Sequence, residues 1–236
     1  MSLMKSRRTD SLLIVEFCDP DTRNSFSLRA AEELYSLLQK ESGRYLGLIF
    51  TAQGRVFCSG GNLADYSALT EAEEGQRINR RIAAILDDLS RLPVPTVCVV
   101  QGDCFGGGLE LISAFDLILS APHVLFGFWQ RKIGLSYGWG GGARLERRLG
   151  EHRVRQLALR AVNFGAHEAR QIGLIDGVCL ESRLLTEATA TVSALARLPK
   201  RPVGPLKTLT SANERETFEK LWWSDEHRAV LNRFRS

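Results

Sequence analysis

Pro95-Thr-Val-Cys-Val-Val-Gln-Gly-Asp-Cys-Phe-Gly-Gly-Gly-Leu-Glu-Leu-Ile-Ser-Ala-Phe-Asp-Leu-Ile-Leu-Ser120 decides the fold class. Pro95–Gln101 is a short apolar, β-branched run and reads as a buried strand. Gly106–Gly108 opens a helix towards Phe115, and Leu117–Ser120 is a further strand. The same alternation extends outward on the N-terminal side. Ser11–Phe17 reads as a strand, Asp19-Pro-Asp-Thr-Arg-Asn24 as a loop, and Leu28–Lys40 as a helix with Ala31, Leu34, Leu37 and Leu38 at helical spacing. Gly43 closes that helix before a strand at Tyr45–Thr51. Ile78, Ile82, Ile85, Leu86 and Leu89 put one apolar face on a helix over Glu71–Leu92, which Pro93-Val-Pro95 stops. Strands alternating with helices make an α/β domain. From about Arg144 the pattern turns helical: Arg144–Ala161, Ala166–Ile172, Leu184–Leu198, Val203–Asn213 and Glu214–Phe234. The expected division is an α/β core over 1–143 and a helical C-terminal region over 144–236.

Composition bounds the function. The 236 residues are 44% hydrophobic and 25% charged, as in an ordinary soluble domain. Lys and Arg total 31 against 27 for Asp and Glu, a net charge of +4, which suits anionic small molecules and not nucleic acid. No apolar run reaches the roughly 18–20 residues of a membrane helix, and no signal-peptide core follows the basic Met1–Asp10 segment. Cys18, Cys58, Cys98, Cys104 and Cys179 form no C-x-x-C pair, and they read as reduced thiols of a cytoplasmic protein.

Two glycine loops carry the chemistry. Phe57-Cys-Ser-Gly-Gly-Asn-Leu63 and Gly102-Asp-Cys-Phe-Gly-Gly-Gly-Leu-Glu110 each follow a strand, and the second leads into a helix. Glycine lets a ligand approach the main chain, and a helix start offers free N–H groups at a positive dipole end. Two such loops facing each other would supply converging donors for a developing oxyanion. Taken alone, a glycine triplet is equally at home as turn chemistry. Glu110 lies about one helical turn after Gly107 among apolar neighbours. It is either an acid/base beside the oxyanion carbon, with a pKa raised by dry surroundings, or a glutamate that merely favours the helix dipole.

These motifs together resemble the crotonase (enoyl-CoA hydratase/isomerase) superfamily. Asp116-Leu-Ile-Leu-Ser-Ala121, the Gly134–Leu145 loop and Ala166-His-Glu-Ala-Arg-Gln-Ile-Gly-Leu-Ile-Asp176 continue the likeness in the same order, from about Ser11 to about Val230. The resemblance implies a ββα spiral core, trimers built on the helical C-terminal region and sometimes paired into hexamers, and a role in fatty acid metabolism. It implies an acyl-CoA thioester substrate, with coenzyme A as part of that substrate and no permanently bound cofactor or metal. Carried over motif by motif, Gly61 and Gly107 would hold the enolate oxygen. Ser59, Asn62 and Leu63 would line the path of the pantetheine and acyl chain, and Arg23 and Ser25 would lie near the nucleotide end. Lys207, Arg233 and Arg235 are further candidates for phosphate contacts.

Two positions depart from the hydratase pattern. Hydratases of this superfamily use two glutamates. The first matches Glu110, but the second falls on Gln130 in Phe126-Gly-Phe-Trp-Gln-Arg-Lys-Ile-Gly134. Glutamine orients partners by hydrogen bonds and has no titratable proton. Gly134-Leu-Ser-Tyr-Gly-Trp-Gly-Gly-Gly142 puts Tyr137 where many hydratases have proline, a feature similar to the methylmalonyl- and ethylmalonyl-CoA decarboxylase-like branches. The leading expectation is an enolate-forming enzyme with Glu110 as its single acid/base and Gln130 and Tyr137 orienting the substrate. The alternatives are a malonyl-type acyl-CoA decarboxylase and a non-catalytic acyl-CoA-binding protein. Rival classes fail on spacing: Gly138–Ala143 lacks the strand and acidic residue of a dinucleotide site, Ser59 lacks a G-x-S-x-G setting, and the four histidines lack metal-ligand partners.

Overall fold

The computed structural model describes residues 2–234. β1 (Met4–Thr9) and β2 (Leu12–Phe17) form a hairpin, followed by α1 (Leu28–Lys40), β3 (Gly47–Ala52) and β4 (Val56–Cys58). Next come α2 (Leu63–Ser67), α3 (Ala72–Ser90), β5 (Thr96–Val100), β6 (Asp103–Phe105), α4 (Gly107–Ile112), β7 (Leu117–Ser120) and β8 (Leu125–Gly127). A 3₁₀ turn at Trp129–Ile133 precedes α5 (Gly141–Leu149), α6 (Glu151–Arg160), β9 (Asn163–Gly165), α7 (Ala166–Gln171) and β10 (Gly177–Val178). The chain finishes with α8 (Glu181–Ala196), α9 (Val203–Lys207), α10 (Glu214–Leu221) and α11 (Asp225–Asn232).

Strands leave in pairs, one to each of two sheets. β3, β5 and β7 sit side by side and parallel in a six-stranded sheet ordered β1-β2-β3-β5-β7-β10. Their partners β4, β6 and β8 repeat that order in a four-stranded sheet closed by β9. Repetition of strand, strand and helix winds a ββα spiral. β2, β3 and β5 are buried almost throughout, as parallel strands covered on both faces must be. Ile82, Ile85, Leu86 and Leu89 of α3 enter the same core as Phe17, Phe26, Phe50 and Phe57. On the other side α8 lies so close that a Cβ on Gly47 would meet Val192 Cγ1 at 2.1 Å.

Several expectations need correction. The basic N-terminal segment is a strand, β1, paired antiparallel with β2 and exposed from Lys5 to Thr9. The helix expected over Arg144–Ala161 is broken at Gly150, whose φ of 80° no helix tolerates. Trp223, at φ 64°, and the Ser224 N-cap likewise divide Glu214–Phe234. The region after 144 is rich in helix, yet β9 and β10 complete the two sheets, and the expected 143/144 boundary falls inside α5. Among the described residues no helix is long and apolar enough to cross a membrane.

Candidate active site

The two glycine loops meet at the N-terminus of α4. Phe26 N–H donates to Gly60 O at 2.7 Å and Ser59 N–H to Arg23 O at 3.1 Å, which fixes the first loop against the 19–27 segment. Asn24 braces that segment from inside, donating through Nδ2 to the carbonyls of Gln53 and Val56 at 2.7 Å each. Gly60 has φ 109°, and a Cβ there would lie 3.3 Å from Phe105 O and 3.4 Å from Gly107 N. Only glycine permits this approach and this backbone angle. Neither the Gly61 nor the Gly107 N–H has a hydrogen-bond partner among the described residues. Two unpaired donors on adjoining loops are what an oxyanion requires.

Glu110 is 2% exposed, and its carboxylate accepts four contacts. Gly138 N–H at 3.2 Å and Gln130 Nε2 at 3.4 Å reach Oε1; Trp139 N–H at 2.8 Å and Gly141 N–H at 3.1 Å reach Oε2. An ionised carboxylate has about four lone-pair sites, so all are engaged. The 138–141 loop wraps the carboxylate so tightly that a Cβ on Gly141 would stand 2.4 Å from Glu110 Cγ. The carboxylate expected beside the oxyanion carbon thus also ties down the 138–141 loop.

Beyond Glu110 lies a cleft of about 440 Å³, lined by Phe128, Gln130, Arg131, Tyr137, Glu146 and Arg155 among others. Gln130 Oε1 and Tyr137 Oη are both buried there without a protein partner. Burial pushes the Tyr137 phenol well above its ordinary range, and the nearby Glu110 and Glu146 carboxylates add to that. The hydroxyl therefore stays protonated, a buried donor on a residue of the cleft wall.

Trp139, Asn79, Tyr66 and Arg144 complete the arrangement, and sequence reasoning assigned none of them a part in the site. The indole is 4% exposed and lies across both glycines. A Cβ on Gly107 would meet its Cζ3 at 2.4 Å, and one on Gly61 its Cζ2 at 3.4 Å. Trp139 Nε1 donates to Asn79 Oδ1 at 2.8 Å, and Tyr66 Oη donates to the same oxygen at 2.7 Å. Asn79 Nδ2 in turn donates to Gly75 O at 2.9 Å. Arg144, buried, donates to Trp139 O at 2.8 Å and pairs with Asp87 at 2.6 Å. The one available signal was Asn79 itself, a polar residue beside the apolar stripe of its helix.

The remaining expected residues separate into two groups. Leu63 is 55% exposed next to the first loop, and Arg23 is exposed with no ion-pair partner among the described residues. Ser25 Oγ is buried and unpartnered. Asn62, by contrast, is occupied as the N-cap of α2, accepting from Ala64 and Asp65 N–H. The Ser59 hydroxyl faces Thr22 O at 3.5 Å. Lys207 does not reach outward for a phosphate: its Nζ is buried against Asp116 Oδ2 and Val94 O, 2.7 Å from each. Arg233 is exposed at the end of α11, and Arg235 lies outside the described residues. All five cysteines are unpaired, and burial pushes the Cys58 thiol up to about 12, which rules it out as a ready thiolate.

Comparison with known proteins agrees with this architecture. The model of the enoyl-CoA hydratase/isomerase family matches residues 7–225, and the chain belongs to that family. It is 30% identical to ethylmalonyl-CoA decarboxylase of Gallus gallus over 201 residues, spanning 79% of this chain and 67% of that protein. It is 33% identical over 150 residues to the mitochondrial methylglutaconyl-CoA hydratase of Homo sapiens, spanning 63% of this chain and 44% of that one. Among solved structures, enoyl-CoA hydratase from Bacillus anthracis superposes with a TM-score of 0.89 at 22% identity, covering 98% of this chain and 95% of its own, a likeness of fold.

Proposed function

We propose that this enzyme removes CO2 from a short malonyl-type acyl-CoA, with coenzyme A entering as part of the substrate and no resident cofactor required. The observation that carries this reading is the fully engaged Glu110 carboxylate. Hydration and isomerisation both need a carboxylate with a lone pair turned to the substrate. Decarboxylation does not. The bond between the α-carbon and the carboxylate breaks, and its electron pair passes into the thioester as an enolate. CO2 leaves, and a proton from solvent then closes the α-carbon. Gly61 and Gly107 N–H hold the enolate oxygen. Tyr137 Oη, buried and unpaired, donates to the departing carboxylate, and Gln130 helps orient it. Arg23 and Leu63 are the residues best exposed to meet the phosphates and pantetheine. The likeness to ethylmalonyl-CoA decarboxylase supports the same substrate class.

A second reading rests on the 3.4 Å contact from Gln130, the longest of the four. Its release would free one lone pair, which suffices for Glu110 to shuttle a proton in double-bond isomerisation. A panel of crotonyl-, 3-enoyl-, methylmalonyl- and ethylmalonyl-CoA, read by mass and, for the isobaric enoyl isomers, by the absorbance of the conjugated thioester, separates the readings. Loss of one CO2 from the malonyl thioesters is expected. Addition of water to crotonyl-CoA, or migration of the 3-enoyl double bond with the malonyl thioesters untouched, overturns the decarboxylase reading. The proposal includes a reduced, cytoplasmic setting, supported by five unpaired cysteines. It also includes a homotrimer, or a hexamer of two trimers, supported by the exposed Leu206, Leu209, Phe218, Trp222 and Trp223 in and between α9, α10 and α11.

A further inference from the structure

The Cβ sides of Gly61 and Gly107 are packed against aromatic rings. The Trp139 indole covers both glycines, and Tyr66 Cε2 would lie 3.3 Å from a Cβ on Gly61. A single oxygen, Asn79 Oδ1, accepts from both rings, and Asn79 is itself oriented by its bond to Gly75 O. Phe26 backs the indole at 5.7 Å between ring centroids. Glu110 and Arg144 hold the Trp139 backbone from below through its N–H and its carbonyl. Hydrogen bonds on three sides fix the ring in one place, and a fixed wall discriminates by size in a way that a mobile one does not.

We propose that the Asn79-held indole of Trp139 is the specificity-determining residue of this site, setting the largest α-substituent that an acyl thioester can bring to the two glycine N–H groups. The substrates of the test rest on the decarboxylase reading; the inference about the wall is also accessible to a binding measurement. Because the indole packs on both glycines, a thioester whose oxygen is held by the Gly61 and Gly107 N–H groups is brought within reach of the ring. A methyl or ethyl branch occupies little of that space, whereas a butyl branch collides with the ring. Misfit of a methylene in an apolar pocket is worth about 10- to 200-fold in kcat/KM. Trp139 would touch substrate. Asn79 acts only through it and is a positioning residue.

The test compares decarboxylation of methylmalonyl-, ethylmalonyl- and butylmalonyl-CoA by the wild type and by Trp139→Phe, Trp139→Ala, Asn79→Leu and Asn79→Asp. The wild type is expected to lose about 10- to 200-fold from ethyl to butyl. Trp139→Ala should shrink that gap by about tenfold or more, and Trp139→Phe by less. Asn79→Leu, which removes the acceptor, should narrow the gap chiefly through KM. Asn79→Asp, which keeps it, should retain the wild-type order of substrates. If Trp139→Ala does not fold, Trp139→Phe carries the comparison. Should the wild type decarboxylate none of these thioesters, calorimetric Kd values for butyryl- and hexanoyl-CoA serve instead. A size limit that moves with Trp139 then upholds the wall although the decarboxylase reading has failed. A folded Trp139 variant with the wild-type size profile, in turnover or in Kd, overturns the inference.

Discussion

Glu110 and Gln130 lie twenty positions apart in sequence and touch in the structure, at 3.4 Å. What the residues around them do is testable one side chain at a time. In Glu110→Gln, whichever way the amide turns, its NH2 faces two donors that have lost their acceptor. A buried donor left unpaired costs about 1–3 kcal/mol. The expected outcome is a lower urea midpoint, with turnover falling as the 138–141 loop loosens. A variant of wild-type stability whose rate is lower by about 10²–10⁴ would instead identify Glu110 as the proton-transfer group. Tyr137→Phe should behave in the opposite way. It removes a buried hydroxyl that has no protein partner, so stability should not fall and should rise by up to about 1–3 kcal/mol. Decarboxylation should still fall by about 10²-fold, the cost of misplacing the reacting carboxylate. A melting point that is unchanged or raised, beside a lowered rate, is the signature to measure. The strand-to-helix setting of the second glycine loop and the place of Glu110 one turn after Gly107 were legible from local pattern, whereas Gln130 was singled out only by the resemblance to the hydratases. Trp139 and Asn79 were not, because their roles rest on hydrogen bonds between elements 60 residues apart, for which a single sequence carries no local sign.

Helix Leu28–Lys40 and strand Leu117–Ser120 emerge with the limits their apolar periodicity predicts. β4, β6, β8 and β9 do not, since strands of three residues are too short to display a period, and they form only because the spiral brings their neighbours alongside. β1 escaped notice for a different reason: five of its six residues face solvent, leaving no buried alternation to read. That strand is held from behind by Glu33 of α1, which accepts from Leu3 N–H at 2.6 Å, Ser2 Oγ at 3.0 Å and Met4 N–H at 3.3 Å. Burial opposes ionisation of Glu33, but these bonds and Arg29 outweigh it and hold its pKa below the ordinary 4.5. A depressed carboxylate gives stability that is complete above the unfolded value and is lost as pH falls through the folded one. Protection of the Leu3 and Met4 amides, corrected for the intrinsic exchange rate at each pH, should therefore be high at pH 6 and fall as the pH drops below the ordinary carboxylate value, ahead of the β3 and β5 amides. Glu33→Gln should leave Leu3 and Met4 poorly protected throughout.

At the scale of the whole molecule, the C-terminal helices are tied to the spiral by few buried links, of which Lys207 with Asp116 and Val94 is the best defined. Beyond it the exposed Phe218 and Trp222, stacked at 5.5 Å, offer apolar surface with little core beneath. If that surface builds a trimer, Phe218→Ser with Trp222→Ser should convert it to monomers in light scattering while the far-ultraviolet spectrum stays unchanged. An unaltered mass would move the contact elsewhere. The six-stranded sheet has a different problem at its margins, where open backbone invites another sheet to dock. One margin is β10, only two residues long; the other is β1, which carries Lys5, Arg7 and Arg8 outward. Like charges along a free strand repel a second copy of themselves, and a strand two residues long gives little to pair with. Those three cations thus act as a guard against fibre growth. Replacing all three with valine or threonine is expected to seed thioflavin-positive filaments under conditions in which the unaltered chain forms none.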